Sequence, residues 1–440
     1  MNEQRNEETQ LIEIEETFQR LEELIQKVDD SVVSEDTQME NLINLEYPDE
    51  NNDQKVEISD GILMNMVEID ENLARSSVDS SLSIQSFKGR CYTKKLSLME
   101  LATLFEHYAK SGASILELQG KLMSDVEWLP LTLVKLSNLT ELNISKNEIM
   151  ALPSNMGELK ALKKLNIESN QLINLPESIG EITGLTHLDL HGNRLKSLPS
   201  SFQKLVELAH LNLSSNMFNR LPDSIGNLIS LEKLNLKANE LEELPSDIGS
   251  CASLVVLHID FNRLMALPET IGNLKKLEIL TLRYNRLMDL PGSICNLQSL
   301  EELDLSFNEL QSISESLCCT TNLKKLNIGN NFVDITSLPS SIGNLAILEE
   351  LDISCDQIRV LPDSFRFLSK LRVFLADDTP LETPPIEITK LGAQAVVRYM
   401  AEVVHKSNRF PNHMMKERRG LWSCILSCFC LDEVVPMETS

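Results

Sequence analysis

The sequence predicts an α/β solenoid, with a curved parallel sheet on its concave face, loops and short helical turns on its convex face, and a helical cap at each end. Three observations predict it. Nine asparagines recur every 23 residues, at Asn147, Asn170, Asn193, Asn216, Asn239, Asn262, Asn285, Asn308 and Asn331. Each closes a Leu-x-x-Leu-x-Leu/Ile-x-x-Asn phrase. A Leu-Pro pair follows at a fixed offset, from Leu152-Pro153 through Leu290-Pro291. Such a phrase at such a period defines a leucine-rich repeat, and about eleven or twelve of them fill residues 116–385.

Ahead of the array, residues 1–90 carry 23 acidic against 7 basic side chains, a net of −16 out of the chain's −26. This composition predicts a largely disordered acidic arm. Within it Leu11, Ile14, Phe18, Leu21, Ile25 and Val28 alternate three and four residues apart, a heptad seam over 8–28. The seam predicts a short coiled coil and weak self-association; a helix that stays isolated or docks elsewhere fits the same pattern. Residues 91–115 should form a helical cap, since Ser97-x-x-Glu100 resembles a capping box.

Inside the array, Leu185, Leu188 and Leu190 point inward while His187, Asp189 and His191 alternate outward, the period of a half-buried strand. The asparagine follows where the chain leaves the strand, and its amide can donate to and accept from backbone that no sheet partner serves. Proline then stops the strand. The ends are less regular: Lys121, Asp356 and Thr379 stand where asparagine is expected, Ile313-Ser314 replaces Leu-Pro, and the stretch after Asn331 is two residues longer than its neighbours. From 386 to 407, Ala395, Val396, Tyr399, Met400 and Val403 mark one face of a closing helix. Residues 408–440 form a basic, cysteine-containing tail.

Composition excludes several function classes. The acidic balance repels nucleic acid and anionic membrane. No apolar run reaches membrane-span length and the N-terminus has no secretory signature, so the chain reads as intracellular and cytoplasmic. The cysteines lack the paired spacing of secreted solenoids. No phosphate loop, metal-ligand signature or nucleophile with its base occurs, which leaves no catalytic, cofactor-binding or metal residue to name. The expected function is a non-enzymatic scaffold that binds a protein partner on its concave face.

Candidate contact residues follow from the alternation. His187, His191 and His210 lie on neighbouring strands, a contact patch or, less readily, a metal site. Glu302, Lys325 and Glu350 alternate in charge down one column, as an epitope or a surface ion-pair ladder. His258, Asp260, Thr281, Arg283, Tyr284 and Asp304 mix charge with aromatics as interface hot spots do; Phe261, Tyr284 and Phe307 could equally pack as a spine between repeats. In the tail, Cys424, Cys428 and Cys430 beside basic and apolar residues are of the kind that accept palmitate. That makes a membrane-tethered regulatory module, associated peripherally through the tail, the alternative function.

Finer motifs carry a resemblance. Ser97–Ala102, Glu127-Trp-Leu-Pro130, Leu277–Asn285, Leu303–Leu310, Leu326–Phe332 and Gly392–Val397 with Tyr399-Met400 look like the plant intracellular Ras-group-related leucine-rich repeat proteins, over about residues 92 to 430. The resemblance implies an intracellular adaptor in signal transduction, with a Ras-type small GTPase as a partner. It also implies a Gly-Val-Tyr-Trp-like motif after the repeats, for which Gly420, Leu421 and Trp422 are a degenerate version without the tyrosine.

Overall fold

The computed structural model describes residues 95–331 and 335–409. The acidic arm with its heptad seam, and the tail with Gly420, Leu421, Trp422, Cys424, Cys428 and Cys430, lie outside the described residues. The chain divides into two units, Met1–Arg90 and Cys91–Ser440, and the second holds the array.

Helix α1 (Leu98–Ser111) opens it. The Ser97 hydroxyl accepts from the Glu100 backbone N–H while Glu100 accepts from the Ser97 N–H at 2.9 Å, a reciprocal cap, and Leu101 and Phe105 cover the first slice of core. Twelve three-residue strands follow: β1 (Ile115–Glu117), β2 (Glu141–Asn143), β3 (Lys164–Asn166), β4 (His187–Asp189), β5 (His210–Asn212), β6 (Lys233–Asn235), β7 (Val256–His258), β8 (Ile279–Thr281), β9 (Glu302–Asp304), β10 (Lys325–Asn327), β11 (Glu350–Asp352) and β12 (Val373–Leu375). They form one parallel sheet in sequence order, each strand in register with the next.

Between strands, most turns begin on a proline. Pro222, at φ −71° and ψ 148°, starts a 3-10 turn over Asp223–Asn227, and its carbonyl accepts from the Ile225 N–H at 3.0 Å. Where Ser314 replaces proline, its hydroxyl takes over by accepting from the Ser316 N–H at 3.3 Å. Neighbouring turns approach closely on this convex side. A Cβ built on Gly226 would lie 2.4 Å from the Asp247 carbonyl, so any larger residue there would force repeats apart. Glutamates strap the turns together. Glu177 accepts from the backbone N–H groups of Ser200 and Ser201 one repeat on, Glu269 from those of Gly292 and Ser293, and Glu315 from those of Ser340 and Ser341.

The inner leucines make one continuous aliphatic core, and the asparagines run beside it as a ladder. Asn262 is typical: its amide nitrogen donates to the carbonyls of Leu236, Ile259 and Asp260, while its oxygen accepts from the Leu241 N–H at 3.0 Å. One side chain thereby satisfies backbone in two adjacent repeats. Thr379 keeps only the donor function, to Ile353 O at 2.8 Å, and exposed Lys121 turns to the Glu117 carbonyl instead. At the C-terminal end, the expected helix over 386–407 is two helices, α2 (Ile386–Thr389) and α3 (Ala393–Arg409). They are separated by Gly392 at φ 95°, a conformation that side chains rarely adopt. Val396 and Met400 of α3 close the core.

Two outcomes follow. Asn262→Leu should cost on the order of 3 kcal/mol, because it strands buried backbone groups in two repeats at once; urea titration should show a clear fall in midpoint, which Asn322→Leu on the exposed surface should not. The carboxyl of Glu315 is pulled down to about 2 chiefly by the Ser341 and Ser340 hydroxyls, that of Glu269 is lowered first by Ser293, and that of Glu177 first by the Ser201 backbone. Depressed carboxylates stabilise the fold above their ordinary value of 4.5, and that contribution is lost as pH falls towards about 2. A variant with all three glutamates changed to glutamine should lose less melting temperature across that window than the parent.

Candidate functional site

The outward residues of β1 to β7 line a trough of about 490 Å³, and those of β9 to β12 line a second of about 240 Å³. Strand β8 lies between them, with Thr281 buried and Ile279 half-buried.

In the first trough, His187 and His210 pair across β4 and β5, and their rings stack at 4.3 Å. His191 sits past the end of β4 and turns away, its Nδ1 lying 2.8 Å from Ser214 Oγ. The three imidazoles therefore do not converge. Burial, then the nearby His187 and Lys233, lower the pKa of His210, with Glu232 opposing. Burial and then Lys237 lower that of His258, with Asp260 opposing.

At the centre, two of the expected contact residues prove to be supports. Asp260 is 5% exposed and Thr281 7%. Asp260 accepts from Lys237 Nζ at 2.8 Å, Thr281 Oγ1 at 2.9 Å and the Arg283 N–H at 3.0 Å. The Thr281 hydroxyl spends its one proton on Asp260, so it accepts from His258 Nδ1 at 2.8 Å. This network ties three repeats together beneath the surface. Lys237, which sequence reasoning did not single out, is its cation; its signal was its place one repeat before Asp260 in the same column.

Above the network lies the rim. Phe261, Tyr284 and Phe307 stack at 4.7 Å and 4.2 Å with planes within 18° of parallel, and the guanidinium of exposed Arg283 lies 5.1 Å from the Tyr284 ring centre and 5.0 Å from that of Phe307. The rings do bridge repeats, but on the surface. In the second trough, Lys325 Nζ stands 4.0 Å from Glu302 and 3.8 Å from Glu350, long contacts between half-exposed groups that hold little energy. Asp304 is occupied locally, accepting from the Ser306 N–H at 2.9 Å and its hydroxyl at 2.6 Å.

Among the described residues no helix is long and apolar enough to cross a membrane, and no group of three or more metal-ligating side chains forms. The lowered imidazole pKa values have a consequence for stability. Protonating His210 and His258 is harder in the folded chain than in the unfolded one, so stability is held above the ordinary value of 6.5 and falls as pH drops below it. Melting temperatures at neutral pH and at about pH 5 should differ less in a His210→Gln, His258→Gln variant than in the parent.

A family model described as a leucine-rich repeat region matches residues 156–240 and 233–333. Plant intracellular Ras-group-related LRR protein 5 of Oryza sativa subsp. japonica is 52% identical over 66 residues, covering 15% of this chain and 12% of the relative. The protein 4 of that series in Arabidopsis thaliana is 53% identical over 103 residues, covering 23% of this chain and 18% of the relative. The matched stretches thus span less than a fifth of these relatives' length. Among solved structures, the ectodomain of the Arabidopsis thaliana receptor kinase GASSHO1/SCHENGEN3, in complex with CASPARIAN STRIP INTEGRITY FACTOR 2, aligns with TM-score 0.53 and 30% identity over 57% of this chain and 32% of that one. A TDR receptor aligns with TM-score 0.60 at 23% identity over 68% of this chain and 53% of that one, a likeness of fold alone. The repeat phrase and the twelve-stranded array make the fold a leucine-rich repeat solenoid, and the matched stretches are similar to the plant intracellular Ras-group-related proteins.

Proposed function

We propose that this chain is a non-enzymatic intracellular scaffold that binds a protein partner on its concave face, with the contact centred on β7 to β9 and the adjoining rim. The observation that carries this reading is a rim of stacked rings, exposed at Phe261 and half-buried at Tyr284 and Phe307, with exposed Arg283 beside it, standing on a satisfied, buried network. Aromatic and arginine side chains dominate binding energy where they are held rigidly, and here the Asp260 network fixes the backbone of Arg283 by a 3.0 Å hydrogen bond. Size supports it too: twelve strands about 4.8 Å apart offer a face on the order of 50 Å long, the scale of a folded protein. His187, His191, His210, His258, Tyr284, Glu302, Asp304, Lys325 and Glu350 supply the remaining contacts, with Asp260 and Thr281 acting beneath them.

The relatives' names and the motif resemblance favour a role in signal transduction with a Ras-type small GTPase as partner. Affinity purification from plant-cell lysate, with purified small GTPases loaded with GDP or a GTP analogue run in parallel, tests both levels. Changing Arg283 to Glu and Glu302 to Lys should reduce partner capture at least about tenfold while leaving the circular dichroism and melting temperature in place. Undiminished capture by that variant would overturn the concave-face assignment. Capture of other proteins, with no GTPase retained in either nucleotide state, would overturn the GTPase identity alone.

A further inference from the structure

The hydroxyl of Thr281 has one proton, and the Asp260 carboxylate takes it at 2.9 Å. His258 must therefore carry its own proton on Nδ1, the nitrogen that meets that hydroxyl at 2.8 Å. Burial and then the Lys237 ammonium hold the imidazole below its ordinary pKa of 6.5, with Asp260 opposing, so the ring is neutral at neutral pH. In a neutral ring protonated at Nδ1, the other nitrogen is a bare lone pair. His258 lines the β7 end of the first trough and is half-buried there, and among the described residues its Nε2 has no hydrogen-bond partner. Two successive hydrogen bonds beneath the surface thus fix a single acceptor in the wall of the trough.

The surroundings decide which donor fits. A carboxylate has no proton to give, and a cationic donor meets Lys237, whose ammonium lies 2.8 Å from Asp260 in the same network. The donor is therefore uncharged. Val256 and Ile279 pair across β7 and β8, both half-buried, and form an apolar step beside His258. A phenol meets both requirements, since it carries a hydroxyl donor on a flat apolar ring. We propose that His258 anchors a subsite for one tyrosine side chain of the protein partner, whose hydroxyl donates to Nε2 while its ring rests on Val256 and Ile279. Thr281 and Asp260 are positioning residues, which hold the imidazole in the accepting tautomer. The inference rests on the scaffold reading and deepens it by naming the side chain that the partner must present.

The test uses the full chain labelled with nitrogen-15 at its histidine rings, at neutral pH, with the His258 signals identified by their loss in His258→Leu. Long-range proton–nitrogen spectra should show Nδ1 as the protonated nitrogen. N-acetyl-tyrosinamide should move the Nε2 signal upfield, and N-acetyl-phenylalaninamide, the same ring without the hydroxyl, should leave it in place. Thr281→Val should mix the tautomers and weaken the response, and Thr281→Ser should restore both. His258→Leu should lower partner capture at least about tenfold. A free chain with His258 protonated mainly at Nε2, or a signal that stays still or answers both probes alike, overturns the subsite even if the Arg283 and Glu302 variant loses its partner. An unmixed tautomer in Thr281→Val overturns the positioning role. A responsive His258 with full capture by His258→Leu overturns the subsite's part in partner binding. Full capture by both variants sinks the scaffold reading itself.

Discussion

Every repeat must dispose of the backbone it leaves behind when its three-residue strand ends. Those N–H and C=O groups are buried against the next repeat and no sheet partner reaches them, so an unmet group would weaken the array at each rung. The asparagine amide answers this with donor and acceptor together. Asn262 serves carbonyls at Leu236 and Ile259 and the N–H of Leu241, so the ladder joins each repeat to the one before it. Leucine packing supplies adhesion, but this geometry sets the register in which the leucines meet. The strict in-register pairing of the strands, and hence the straight columns of outward residues, depends on it.

Because the columns are straight, surface chemistry accumulates down them. Histidine stacks on histidine, lysine lies between glutamates, and aromatic stacks on aromatic, each across neighbouring strands. Along the concave face the imidazoles fall in the first trough, among amides, lysines and carboxylates, while the second trough, past the aromatic rim, is lined chiefly by carboxylates around Lys325. A partner that spans the array meets these zones in a fixed order. Partner selection can then come from the sequence of zones, with no single deep pocket required.

The parts of this architecture that repeat were legible in the sequence. Leucine, asparagine and proline periods located the strands, the ladder and the turns, and Ser97 with Glu100 announced the first helix. What escaped were contacts made between repeats, since a pattern read along one repeat cannot say what its neighbour presents. Asp260 and Thr281 alternate outward like any surface residue, yet Lys237, Arg283 and His258 from adjoining repeats close over them. Glu177 and Glu315 were not singled out, because the groups they accept from lie 23 to 26 residues further on. The break at Gly392 was hidden because the apolar spacing after it is helical on its own. The aromatic rim was half legible: its column was evident, but the pattern could not choose between exposed contacts and a spine between repeats.

The Asp260 network ties the middle of the array through buried side chains. In a stack where each repeat touches only its neighbours, opening proceeds from the termini inward, and the least tied repeats fray first. Lys237, Asp260, Thr281 and Arg283 stitch three successive repeats across the sheet edge, and the rings above them add a second seam. The segment that presents the aromatic rim is thus tied across repeats by buried side chains and by rings, so a partner of the kind proposed would meet a surface already ordered. Little conformational freedom would then be lost on contact, which favours slow dissociation.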